Sequence, residues 1–249
     1  MKTRADLLLV KQNLAASRSE AQALILAGQV SFSKGRIEKA GQLISEEEIL
    51  TVRKGRPFVS RGGEKLQQAL ETFHLNVTDK TCLDIGASTG GFTDCLLQNG
   101  AKKIYAVDVG YGQFHWKLRS DPRVVLMEKT NFRYIESGKI PEKLDLIVID
   151  VSFISLDKIL PKAKEHLKPE GQMIVLIKPQ FELSPKEVGK GVVKDEGLRQ
   201  KTVQKIKSFA EEIGLQCLGT TASPILGPKG NQEFLMLLSD SDSALLQTP

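Results

Sequence analysis

Apolar and polar positions alternate along this chain in two regimes. Over the first fifty or so residues the apolar blocks are short. Residues 4–14 repeat them at helical spacing, and Ser17-Arg18-Ser19-Glu20 has the form of a capping box opening a second helix through Leu26. Gly28 stands where that helix should end. Residues 29–32 and 48–52 suit strands, with a turn at Lys34-Gly35. A further helix is expected from Gly62 to about Phe73. From Thr81 onward, apolar runs alternate with amphipathic stretches in the βαβ manner, which predicts an α/β domain with a mostly parallel sheet. Its strands are expected at 82–85, 104–107, 124–127, 146–149, 173–177 and 233–238, the last one antiparallel. The basic, breaker-containing run 53–61 marks a boundary. The expected organisation is a small domain (1–55), a linker (56–61), a larger domain (62–240) and a disordered tail (241–249).

Length and composition narrow this picture. A chain of 249 residues with 41% hydrophobic content can bury a full core plus a small extra domain. Three cysteines, without paired metal spacing, point to reduced thiols, a cytoplasmic setting and no metal; His74, His115 and His166 show no ligand spacing either. Residues 7–10 are too short an apolar block for a signal peptide, and no run approaches the roughly 20 residues that span a bilayer. No membrane partner is therefore expected. Charge is uneven: residues 1–65 hold 12 Lys/Arg against 7 Asp/Glu, leaving 23 against 23 in the remainder. A basic arm on a neutral body suits a polyanion held at one end, although surface lysine can also serve solubility alone. Arg4, Arg18, Lys34 and Arg36, with Arg56 and Arg61 in the linker, are the candidate phosphate contacts. Aromatic residues are few and read mostly as core, with Trp116 in packing rather than function, so base stacking is expected to be limited.

The chemistry concentrates at predicted strand ends. Leu83-Asp84-Ile85-Gly86-Ala87-Ser88-Thr89-Gly90-Gly91-Phe92 passes from an apolar run through a carboxylate into glycines and then a helix pattern. That is how a parallel strand delivers helix-start amides to a ligand. Ser88 stands where a dinucleotide motif has its second glycine, which argues against close passage of a pyrophosphate. S-adenosylmethionine, an adenosine without phosphate, suits it better, with Gly86, Ser88, Thr89, Gly90, Gly91 and Phe92 as candidate contacts. The next strand ends in Asp108, 22 residues past Gly86, where a carboxylate can accept both ribose hydroxyls. Asn131 is placed for the adenine region. Two further strands deliver Asp150 and Lys178, with Pro179 stopping the ladder. A lysine there is costly to desolvate without a partner or a task. A rim salt bridge to Asp150 is one reading, and a base with lowered proton affinity is the other.

Residues 17–30 resemble the small RNA-binding domain named after ribosomal protein S-four. Lys65, Asp150, Lys178 and Glu233 match in order and context the Lys-Asp-Lys-Glu tetrad of ribose 2′-O-methyltransferases related to FtsJ. The junction Val59-Ser60-Arg61-Gly62-Gly63-Glu64-Lys65-Leu66 and the segment Val188-Gly189-Lys190-Gly191-Val192-Val193-Lys194-Asp195 resemble the TlyA family, often labelled hemolysins, over roughly residues 1–240. The resemblance implies a Rossmann-like class I methyltransferase sheet, S-adenosylmethionine as cofactor, and ribosomal RNA or ribosomal subunits as partner. It also implies that Lys178 takes the ribose proton, Asp150 orients it near the methyl group, and Glu233 holds Lys65 or the ribose. The loop 184–195, which follows the candidate base, reads either as a lid touching RNA phosphates or as an exposed connection, the lid being preferred. One departure is Arg56-Pro57-Phe58-Val59, where some members carry Arg-x-Trp-Val. The rivals are a methyltransferase of small molecules or proteins, a non-catalytic RNA-binding factor, and a membrane-active hemolysin.

Overall fold

The computed structural model describes residues 1–53, 57–136 and 138–240. The chain divides into two units, Met1–Pro57 and Phe58–Pro249. Arg56 and the tail 241–249 lie outside the described residues.

The first unit runs β1 (Lys2–Arg4), α1 (Ala5–Lys11), α2 (Arg18–Leu26), β2 (Val30–Phe32), β3 (Gly35–Arg36), β4 (Leu43–Ser45) and β5 (Thr51–Val52). Ser17 caps α2, its hydroxyl accepting from the Glu20 amide at 3.2 Å, while Glu20 Oε2 reaches back to the Ala16 amide at 2.7 Å. Gly28 ends α2 with φ +68°, and the Gln29 amide returns to the Leu24 carbonyl. Antiparallel pairs join β1 to β4 and place β2 between β3 and β5. Leu8, Leu9, Ile25, Val30 and Ile37 fill a core of this unit's own.

In the second unit the elements are α3 (Gly62–Thr72), β6 (Thr81–Ile85), α4 (Gly91–Gln98), β7 (Lys103–Val107), α5 (Trp116–Arg119), β8 (Val124–Met127), β9 (Leu144–Ile149), α6 (Leu160–Lys164), β10 (Leu167–Ile177), α7 (Pro179–Glu182), α8 (Pro185–Val188), α9 (Glu196–Glu212), β11 (Leu215–Ala222) and β12 (Phe234–Asp240). Seven strands form one sheet in the order β11-β12-β10-β9-β6-β7-β8. The pairs from β10 through β8 are parallel, whereas β12 runs antiparallel to both β10 and β11. Helices cover both faces. Leu66, Leu70, Phe92 and Leu96 of α3 and α4 pack on one side, and Leu160, Ile206 and Ala210 of α6 and α9 on the other. Both faces of the central strands are therefore dry, which is why β6 and β9 read as nearly unbroken apolar runs. This is the class I methyltransferase architecture. Cys82, Cys95 and Cys217 are free thiols, and burial pushes the first two up to about 12.

Candidate active site at the carboxyl end of the parallel strands

Register brings the distant residues together. In the ladders Ile85 lies beside Val107 and Ile149, Ile149 beside Val175, and Ile177 beside Phe234. The residues that follow Ile85, Val107, Ile149 and Ile177, and the one before Phe234, therefore share a single rim. Those residues are Gly86, Asp108, Asp150, Lys178 and Glu233. The antiparallel pairing of Ile177 with Phe234 sets Lys178 opposite Glu233 in the next step of the same ladder.

Two ion pairs form there. Lys178 Nζ lies 2.5 Å from Asp150 Oδ1 and donates to Ser152 Oγ at 2.8 Å. Lys65, on α3, donates from Nζ to Glu233 Oε2 at 2.5 Å. Lys65, Lys178 and Glu233 are buried, and Asp150 is half-buried. Each amine thus meets a carboxylate, without which neither charge would tolerate its desolvation. Glu233 Oε1 is also buried and accepts no hydrogen bond among the described residues. Its carboxylate packs over Gly227, where a Cβ would fall 2.0 Å from Oε1.

Beside the pairs lies a cavity of about 450 Å³. Gly86, Ser88, Asp108, Asn131 and Asp150, all expected at a cofactor, line it. Gly86 (φ +86°) passes so close to the next strand end that a Cβ would lie 2.4 Å from the Asp150 carbonyl oxygen. Asp108 accepts from the Ser88 amide at 2.7 Å and the Gly110 amide at 2.6 Å, which ties the loop after β7 to the glycine loop. The Asn131 side chain accepts from the Arg133 amide. Thr89, Gly90, Gly91 and Phe92 do not line the cavity. Phe92 is 3% exposed and belongs to the core, and Gly91 is a packing glycine whose Cβ would meet Ser60 Oγ at 2.1 Å. Below the loop, fully buried Asp84 accepts from the Thr93 amide and hydroxyl. Burial pushes its carboxyl up to about 7; Thr93 opposes that, and the charges of Asp150 and Asp108 add to it.

Residues 58–239 match the FtsJ-like methyltransferase family over most of the chain. The chain belongs to that family. It is 48% identical over 241 residues to YqxC of Bacillus subtilis (strain 168), which carries an rRNA methyltransferase name, covering 95% of this chain and 85% of that one. It is 44% identical over 248 residues to the 16S/23S rRNA (cytidine-2′-O)-methyltransferase TlyA of Mycobacterium tuberculosis, covering 98% and 92%. A solved structure from Streptococcus thermophilus, titled as a hemolysin, superposes with a TM-score of 0.74 at 44% identity, covering 97% and 89%. This FtsJ-like methyltransferase has no described helix long and apolar enough to cross a membrane, and its described residues form no metal-binding group.

Trp116 departs from the packing place expected of it, and three other aromatic rings are exposed as well. Tyr111, Trp116, Tyr134 and Phe153 are exposed, Phe153 by 90%. Phe153 lines the cavity mouth with φ +62°, a conformation costly for a bulky side chain, and its ring stands 4.9 Å from that of Phe181. Nothing in Ser152-Phe153-Ile154 separates it from a buried apolar run, because only the tertiary fold turns its ring outward.

The basic candidates take different positions. Arg4 Nε and Nη2 bond both oxygens of Asp6 at 3.0 and 2.9 Å, and Arg18 Nε and Gln22 Nε2 also reach Oδ2. Asp6 is fully buried, and Arg4 first among these donors holds its carboxyl far below the usual range. The guanidinium of Arg36 lies over Gly28, where a Cβ would fall 1.7 Å from Nη2. Lys34, Arg36 and Arg61 are exposed. The segment expected to close over RNA is anchored at one end: Asn231 accepts from the Val193 amide at 3.0 Å and donates to the Gly191 carbonyl at 2.9 Å.

Proposed function

We propose that this FtsJ-like methyltransferase is a cytoplasmic enzyme that transfers a methyl group from S-adenosylmethionine to a ribose 2′-hydroxyl of ribosomal RNA. One observation carries the reading: two buried lysine–carboxylate pairs flank the same rim as the cavity. The relatives' names give the substrate class.

The cavity's chemistry fits the cofactor. Ile85, Val107 and Phe132 give it an apolar lining, while Asp108 and Asp150 supply carboxylates, which favour a cationic adenosine compound and disfavour a phosphate. Gly86, Ser88, Asp108, Asn131 and Asp150 would hold it. When bound, S-adenosylmethionine supplies an electrophilic methyl carbon on sulfur. In its amine form Lys178 would accept the 2′-hydroxyl proton at Nζ. Asp150 and Ser152 hold Nζ in line. Glu233 positions Lys65 through Oε2. Phe153 offers its face to the base of the target nucleotide. The first unit reads as the RNA-binding part, with Arg4, Arg18, Lys34 and Arg36 on phosphates; Arg56 and Arg61 are further candidate contacts.

Labelled-methyl transfer to ribosomal subunits tests this. Lys178→Ala should lower the rate by roughly 10²–10⁴-fold, the contribution of a general base, and leave S-adenosylmethionine affinity within a few-fold. Full activity in that variant would overturn the assignment.

A further inference from the structure

The segment between β9 and α6 carries three groups of the site: Asp150, Ser152 and Phe153. Ser152 is exposed, and Phe153 has a left-handed backbone that nothing in its own side chain stabilises. Such a segment relaxes unless something outside it fixes its path. The only carboxylate that grips it among the described hydrogen bonds is Glu182. Glu182 closes the short helix α7, which begins directly after Lys178. Its Oε1 accepts from the Leu156 amide at 2.8 Å, and its Oε2 accepts from the Ser155 hydroxyl. Its side chain is only 2% exposed. From α9, Lys205 Nζ donates to the Glu182 carbonyl at 2.7 Å and stands 3.7 Å from Oε2. Burial raises this carboxyl above its ordinary range, while Ser155 and Leu156 pull it back.

The geometry points to Glu182 as a positioning residue for methyl transfer, an inference that rests on the proposed function: its carboxylate joins the Lys178 segment to the Asp150–Leu156 segment. The two sides of the Lys178–Asp150 pair come from different strand ends. Their separation is set by where α7 and the segment after Ser152 are held, and Glu182 is the covalent neighbour of one and the hydrogen-bond anchor of the other. With the anchor gone, Ser155 and the Leu156 amide lose their acceptor, the strained turn at Phe153 opens, and Asp150 and Ser152 drift from Nζ. A displacement of about 1 Å between reacting groups can cost on the order of 10²-fold in rate. Gly86, Ser88, Asp108 and Asn131 lie on other segments, so the cofactor keeps those contacts and loses only the ones made by Asp150 and its neighbours.

Steady-state methyl transfer to ribosomal subunits would be measured for wild type, Glu182→Ala, Glu182→Gln and Ser155→Ala. S-adenosylmethionine affinity would be measured by calorimetry. Ile206→Ala, a buried core position on α9 outside the site, serves as a control for lost stability. The expected result is a fall in kcat of about 10–10²-fold for Glu182→Ala, with KM and Kd for S-adenosylmethionine rising by clearly less than kcat falls. Glu182→Gln keeps one acceptor oxygen and should recover much of the loss, and Ser155→Ala should give a smaller fall. Ile206→Ala should lower the melting temperature with kcat unchanged. If Glu182→Ala does not fold, Gln and Ser155→Ala carry the comparison. Unchanged kcat in all folded variants, or a loss in Ile206→Ala that matches its fall in stability, overturns the positioning role. An inactive wild type instead overturns the proposed function, and this inference with it.

Discussion

Asp84 shows how a single buried carboxyl can report on the whole site. It lies under the glycine loop with one oxygen bonded to Thr93 and the other without a donor. In the folded chain it titrates near 7, against an ordinary value of 3.8. The folded state therefore binds its proton more tightly than the unfolded state, so stability should decline as pH rises from about 4 to about 7. The effect is on the order of a few kcal/mol. Urea denaturation across that window should show the slope in wild type and a flatter profile in Asp84→Asn; parallel profiles would remove Asp84 as the cause. This group was readable only as part of a motif, because its isolation depends on which side chains cover it. Asp150 and Lys178 stand out because they end predicted strands, whereas Lys65 and Glu233 are marked only by the resemblance to the Lys-Asp-Lys-Glu tetrad. Phe153 and Glu182 do not stand out, since their exposure and their partners are set by contacts distant in sequence.

Among the elements, those with strong apolar patterns appear close to where the chain predicts them, and the weakly patterned ones do not. β8 matches residues 124–127, and α3 ends one residue before Phe73. β1 is three polar residues with no alternation to detect, and β4 is equally short. β11 alternates half-buried and exposed positions after Leu215, through Gly219 and small side chains, and its place is decided by its ladder with β12. β10 begins at Leu167 and crosses Pro169 and Gly171 with a register shift, which no local pattern signals. The glycines opening α3 divide by packing. A Cβ on Gly62 would meet its nearest neighbour at 3.4 Å, whereas one on Gly63 would sit 2.2 Å from Phe58 Cγ. Gly63→Ala should thus cost about 1–3 kcal/mol by overpacking and lower methyl transfer by moving Lys65, two residues on, relative to Glu233. Gly62→Ala should fold with nearly unchanged stability. Equal denaturation midpoints for the pair would contradict this packing account.

For the molecule as a whole, charge and core divide along the same line. Met1–Pro57 holds 10 Lys/Arg against 6 Asp/Glu, and the rest of the chain 25 against 24, so nearly all of the net +5 belongs to the first unit. That unit also encloses its own apolar cluster, which explains how a short segment keeps a fixed array of guanidiniums. Buried Asp6 sets the orientation of Arg4 and Arg18, while 41% of the Arg4 side chain and 54% of that of Arg18 stay exposed. A polyanion held there releases counterions in proportion to the phosphates it engages. Affinity for ribosomal RNA should therefore fall steeply with salt for the full chain. A chain beginning at Phe58 should bind S-adenosylmethionine normally but show a log–log salt slope shallower by about three, given four candidate contacts at roughly 0.7–0.9 each. Lys34→Ala alone should reduce the slope by about one. If removing the first unit leaves the slope unchanged, the polyanion is gripped elsewhere, and exposed Tyr111, Lys129 and Tyr134, with half-buried Arg133, become the surface that must account for it.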